Sequence, residues 1–138
     1  MKTKILVIIS IFIINFSYSQ IIRNEYKTSG EYRFDQKLDS YKFKEETYRE
    51  SKTTVTIDEN EKIIILSRQF IPSNGNPEET YEKYYYVKRE FANNEYKYFA
   101  VDLQNKKYVE FVVDDESTSI AEDCSAFNYC KKVTTFMK

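Results

Sequence analysis

The sequence predicts an all-β fold, a single-domain antiparallel meander of some seven or eight short strands closing into a small barrel or strongly curled sheet. Three observations predict it. Runs rich in Tyr, Phe, Val, Ile and Thr carry interleaved charges, which suits a pleated, half-buried surface. Polar turn clusters recur at roughly 8–12-residue intervals. The densest stretch, residues 81–114, reads as three such runs joined by two short polar turns.

The first residues stand apart from that fold. Lys2 and Lys4 precede the apolar run 5–14, and Ser17 and Ser19 then sit three residues and one residue before Gln20. This is the three-part pattern of a secretory signal peptide over residues 1–19, with an apolar core too short for a permanent bilayer span. An uncleaved, anchored N-terminus is the competing reading. Gln20 rather than a cysteine stands directly after the expected cut, which argues against a lipid-anchored form. The expected location is secreted or periplasmic, with residues 20–138 as one β domain around one core.

Removing Lys2 and Lys4 leaves 19 bases against 22 acids, a net charge of about −3. Phosphate neutralisation calls for a basic face, so nucleic acid is not an expected partner. Lys106-Lys107 and Lys131-Lys132 read as solvated turn and tail charges. No later stretch is long and apolar enough for a membrane-spanning helix. With 41% hydrophobic and 17% aromatic residues, disorder is not expected.

In chain order, residues 20–29 lead in as an irregular segment or short strand. Residues 30–35 alternate, with Tyr32 and Phe34 opposite Glu31, Arg33 and Asp35. A turn over 36–40 precedes 41–47, which alternates again through Tyr41 and Phe43. A helical reading competes here, because Phe34, Leu38, Tyr41, Glu45 and Tyr48 fall at helical spacing, four of the five apolar. Asp39-Ser40 in mid-helix weighs against it. Thr53–Ile57 is β-branched nearly throughout; Asp58, Glu59, Asn60 and Glu61 then make a turn, and Lys62 to Leu66 returns as a strand apolar on both faces. Both prolines and one of two glycines fall within 69–80, a loop and the first candidate for a lid.

Within 81–114, Asn93-Asn94 forms a two-residue type I′ turn. Tyr84 and Tyr86 then share a face with Phe99, Val101 and Leu103. A three-residue loop at Gln104-Asn105-Lys106, with Asn105 left-handed, brings Val109, Phe111 and Val113 to that same inward face. The opposite face carries Tyr85, Tyr96, Tyr98 and Tyr108. Residues 118–121 form one more short strand, and 131–137 dock as a last strand or a helical turn. In outline the meander is similar to lipocalin-like barrels, although the Gly-x-Trp motif is absent because the chain has no tryptophan; no residue role follows from that likeness.

Several chemistries are excluded. Without histidine there is no Ser-His-Asp or Cys-His catalysis and no Cys/His zinc site. No phosphate-binding, dinucleotide or nucleophile-elbow motif occurs. No cofactor, metal ligand or catalytic residue is expected. Cys124 and Cys130, the two cysteines of an exported chain, are expected to form a disulfide worth roughly 2–2.5 kcal/mol, with free thiols as the alternative. Adjacent acids such as Glu45-Glu46 and Glu78-Glu79 point to opposite faces of a strand.

The function the sequence favours is a non-enzymatic binding or interaction module. Tyr85, Tyr96, Tyr98 and Tyr108 are its expected contact residues, and a protein or glycan is the expected partner. Cross-strand aromatic pairing that only stabilises the sheet is the structural alternative. A carrier of a small apolar ligand inside the barrel is a second functional reading, and a carboxylate-based hydrolase a third.

Overall fold

A computed structural model describes residues 20–70, 75–124 and 130–138. The expected signal peptide, part of the 69–80 loop and most of the cysteine-closed loop lie outside those residues. Eight antiparallel strands follow one another around a closed barrel. They are β1 (Ile21–Asp35), β2 (Ser40–Asp58), β3 (Ile63–Phe70), β4 (Glu78–Ala92), β5 (Glu95–Asp102), β6 (Lys107–Val113), β7 (Ser117–Cys124) and β8 (Cys130–Met137). β8 closes on β1 through a ladder from Thr28↔Met137 to Arg33↔Lys132. The segment that competed as a helix is strand, and so is the C-terminal tail. Among the described residues no helix is long and apolar enough to cross a membrane.

A chain with two glycines still needs tight turns, and aspartate makes them. Asp35, Asp58 and Asp102 each head a four-residue loop, and Asp39, Lys62 and Lys106 close these loops at φ of 48°, 55° and 55°. Each aspartate Oδ1 accepts backbone N–H groups of its own loop: Lys37 at 3.0 Å, Asn60 and Glu61 at 3.0 Å, Gln104 at 2.9 Å. Asp114 does the same for Glu116 and Ser117 at 2.7 and 2.6 Å. An aspartate that hydrogen-bonds forward along its own backbone replaces the glycine a turn otherwise requires.

The register within β4–β6 departs from the expectation. Asn93 and Asn94 do form the two-residue turn, at φ of 54° and 63°. Ala92 pairs with Glu95, but at Val87 the ladder slips, so that Lys88 pairs with Phe99 and Tyr86 with Ala100. One bulged residue exchanges the two faces of β5 relative to the upper part of β4. Tyr98 and Ala100 therefore turn inward, while Phe99 and Val101 lie outside. The next loop has four residues, with Lys106 rather than Asn105 left-handed. That second shift returns Val109, Phe111 and Val113 to the interior, where they were expected.

Inside, aromatic and aliphatic side chains form one core. Tyr26, Val55, Ile57, Ile64, Leu66, Tyr84, Tyr86, Tyr98, Phe111, Ile120 and Phe136 are all buried. Small Ala100 lets the Tyr84 and Phe111 rings meet edge-to-face across β5, with centroids 4.9 Å apart. An Arg89–Glu59 ion pair caps the lower end, and the Tyr86 hydroxyl donates to the Glu59 carbonyl at 3.3 Å. At the upper end, β1 and β2 run on past their outer neighbours, whose ladders stop at Arg33 and Lys52. Aromatic pairs Tyr32–Phe43 and Phe34–Tyr41 hold this projecting hairpin, with centroids 5.1 and 5.2 Å apart. The Tyr41 hydroxyl ties it back by accepting the Cys130 N–H at 2.9 Å. Cys124 and Cys130, paired across β7 and β8, form the expected disulfide.

Candidate functional site

The four tyrosines expected on one face divide between two. Tyr85 and Tyr108 lie outside, each paired with Val101 from either side. Tyr98 is fully buried, its ring 5.0 Å from that of Tyr86. Burial, reinforced by the nearby Glu59 carboxylate, pushes the Tyr98 hydroxyl up to about 12. Tyr96 lies on the inward side of β5 near the lower rim, packed on Phe91 at 4.6 Å with the Arg89 guanidinium 5.4 Å from its ring centroid. The correction has one cause, the bulged residue Val87, which turns the even-numbered positions of β5 inward.

What the exterior does carry is a row. Ile63, Tyr85, Val101 and Tyr108 are successive register partners across β3, β4, β5 and β6. Tyr108 is 77% exposed and Tyr85 36%, and exposed Val87 and Leu103 flank them. The row borders on positive charge. The Lys83 ammonium stands 5.2 Å from the Tyr85 ring centroid, and Lys106 and Lys107 lead directly into Tyr108.

The second feature is the charged mouth of the barrel. Above the apolar layers, the inward positions of five strands turn polar: Glu31 on β1, Arg68 on β3, Glu82 on β4, Glu122 on β7, and Lys132 and Thr134 on β8. With Tyr84 they line a cavity of about 190 Å³. Arg68 engages Glu82 at 3.2 Å and lies over the Phe136 ring at 5.3 Å. The Tyr84 hydroxyl donates to Glu82; burial first, then that carboxylate, raises it well above the ordinary tyrosine range. Lys132 pairs tightly with Glu122 at 2.6 Å and loosely with Glu31 at 4.0 Å. Glu31, Arg68, Glu82 and Thr134 also wall a second space of about 250 Å³, lined further by Ser29, Thr47, Arg49, Ser51, Phe70 and Thr80.

These two spaces are thus lined mainly by charges and hydroxyls, while a wider, open space of about 1010 Å³ lies between Tyr26, Ser51, Gln69, Phe70 and Pro77. Three glutamates, Glu31, Glu82 and Glu122, converge on the cavity of about 190 Å³, and neither Glu45-Glu46 nor Glu78-Glu79 is among them. The signal for them lay in strand alternation. Leu66-x-Arg68-x-Phe70, Glu82-x-Tyr84-x-Tyr86, Ile120-x-Glu122 and Lys132-x-Thr134-x-Phe136 each place a charge at an inward position near the same end. Among the described residues no group of three or more His, Cys, Asp or Glu is placed to hold a metal ion. Set against protein-family models, curated proteins and solved structures, the chain matches none.

Proposed function

We propose that this protein is an exported, non-enzymatic interaction module that binds an apolar, acid-rimmed segment of another protein through its exterior aromatic row. The observation that carries the proposal is the row itself: Ile63, Tyr85, Val101 and Tyr108 aligned across four strands, with Tyr108 77% exposed. A contiguous exposed apolar patch marks an interaction site more than a solvated surface. Tyrosine supplies contact area at low entropic cost and keeps a polar tip for the partner. Lys83, Lys106 and Lys107 at its border favour a partner that brings carboxylates to the rim. Export rests on the signal-like residues 1–19, and the Cys124–Cys130 disulfide is compatible with an extracellular or periplasmic home. The non-enzymatic part rests on the absence of histidine and on the cations that face Glu31, Glu82 and Glu122.

The test compares two immobilised proteins, wild type and Tyr85→Ser/Tyr108→Ser, exposed to the exported proteins of the same source. The wild type is expected to retain a partner at low salt and release it as salt rises. The double variant, with unchanged circular dichroism and Tm, is expected to retain none. Equal retention by both contradicts the proposal.

A further inference from the structure

We infer that the mouth of the barrel is a binding site for a small zwitterion, an amino acid or short peptide with a free amine and a free carboxylate. This site is independent of the exterior row. The positive half is Arg68. One of its terminal nitrogens engages Glu82 at 3.2 Å, yet its Nε–H is buried and finds no acceptor among the described residues. Glu82 and the Phe136 ring, 5.3 Å from the guanidinium centre, hold the fork in place. Buried donors in folded proteins are as a rule satisfied. Arg68 lines the cavity with 34% of its side chain exposed, so a carboxylate oxygen meets the guanidinium from that side.

The negative half is Glu31. Its cationic contacts are long, 3.5 Å to Arg33 and 4.0 Å to Lys132, while Lys132 spends its close contact of 2.6 Å on Glu122. An ammonium group at Glu31 replaces weak contacts with a charge-assisted hydrogen bond. Arg68 and Glu31 face both upper cavities. The Arg68 head reaches Phe136 on β8, and Glu31 is the register partner of Thr134, two residues earlier on that strand. The two charged heads therefore meet one side of the lumen, which fits a ligand whose amine and carboxylate are close together.

Charge balance selects against simpler ligands. Arg49, Arg68 and Lys132 stand against Glu31, Glu82 and Glu122 around these spaces, so neither a plain anion nor a plain cation is matched. Ser51, Thr80 and Thr134 offer further hydrogen bonds, and Phe70 gives an apolar side chain a surface to lie on.

Titration calorimetry on residues 20–138 tests this with L-leucine and the dipeptide Ala-Ala, alongside 4-methylpentanoate, which lacks leucine's amine, and 3-methylbutylamine, which lacks its carboxylate. Saturable binding of at least one zwitterion is expected, with both single-charge analogues at least tenfold weaker than leucine where leucine binds. Glu31→Gln is expected to erase the preference for leucine over 4-methylpentanoate, and Arg68→Met the preference over 3-methylbutylamine. Absence of binding by both zwitterions overturns the inference, and so does an analogue that binds as well as leucine. Because the analogue series uses the unmutated protein, the outcome does not depend on the variants folding.

Discussion

Tyr26 and Thr118 lie 92 residues apart in the chain and share a 2.6 Å hydrogen bond between their hydroxyls in the closed interior of the barrel. Tyr26 stands on β1 and Thr118 on β7, so the bond reaches past the strand that closes the sheet. Both residues are fully buried. Thr118→Val leaves the Tyr26 hydroxyl without that partner and is expected to cost about 1–3 kcal/mol. Tyr26→Phe combined with Thr118→Val is expected to cost clearly less than the two single changes together, because the double variant buries no orphaned hydroxyl. Urea unfolding of the four-member cycle measures this coupling, and strict additivity contradicts it.

Four interior tyrosines make the fold sensitive to alkali. Burial is the first cause that raises Tyr26, Tyr84, Tyr86 and Tyr98 above the ordinary value of 10.0. Their folded-state values exceed their unfolded ones, so the stability they contribute is fully present below about pH 10 and is lost as pH climbs toward the folded values. An ultraviolet titration read beside circular dichroism checks this. These four are expected to ionise only together with the loss of circular dichroism. A single reversible tyrosine transition with the fold intact contradicts the interior placement.

The aspartate-headed turns set the acid limit. Asp35 is held below 3.8 first by the Lys42 ammonium and then by the Lys37 N–H, and Asp102 first by the Asn105 side chain. At Asp114 burial acts upward, but the Ser117 hydroxyl and the Glu116 and Ser117 N–H groups outweigh it. Depressed carboxyls stabilise the fold above their unfolded value and lose that contribution as pH falls through their folded values. Unfolding midpoints are therefore expected to fall below about pH 4. Asp102→Asn is expected to flatten that fall. An unchanged acid limb contradicts a role for this turn.

Gly30 is buried because the Phe43 ring of the projecting hairpin lies on it. A Cβ at residue 30 falls on the Phe43 Cε2 and Cζ atoms, inside van der Waals contact. Since the obstacle is the far end of a ring, Gly30→Ala is expected to cost only about 1 kcal/mol. In a Phe43→Ala background that cost is expected to vanish. Thermal unfolding of both pairs decides it.

Strand identity was readable because β-branched and aromatic residues alternate with charge over nearly every element. The turns were readable because Asp and Asn stand where glycine is missing. Register was another matter. Nothing in Tyr-Tyr-Tyr-Val-Lys marks Val87 as the residue that steps out of the ladder, since a bulge is set by which rings fit inside the closed barrel. One missed bulge moved Tyr98 from the surface to the core and left Tyr85 and Tyr108 as the pair outside. The charged mouth is hard to read from the sequence for a related reason. Arg68, Glu82, Glu122 and Lys132 look like ordinary alternating charges until barrel closure brings their inward positions to one end.

The exterior row is tested most directly by hydroxyl-radical footprinting of the protein, once as isolated residues 20–138 and once in complex with the partner it retains. Tyr85 and Tyr108 are expected to be labelled readily in isolation and protected at least several-fold in the complex, with Tyr98 unlabelled in both states. Equal labelling of Tyr85 and Tyr108 in the two states, with the partner still bound, places the contact elsewhere and contradicts the account.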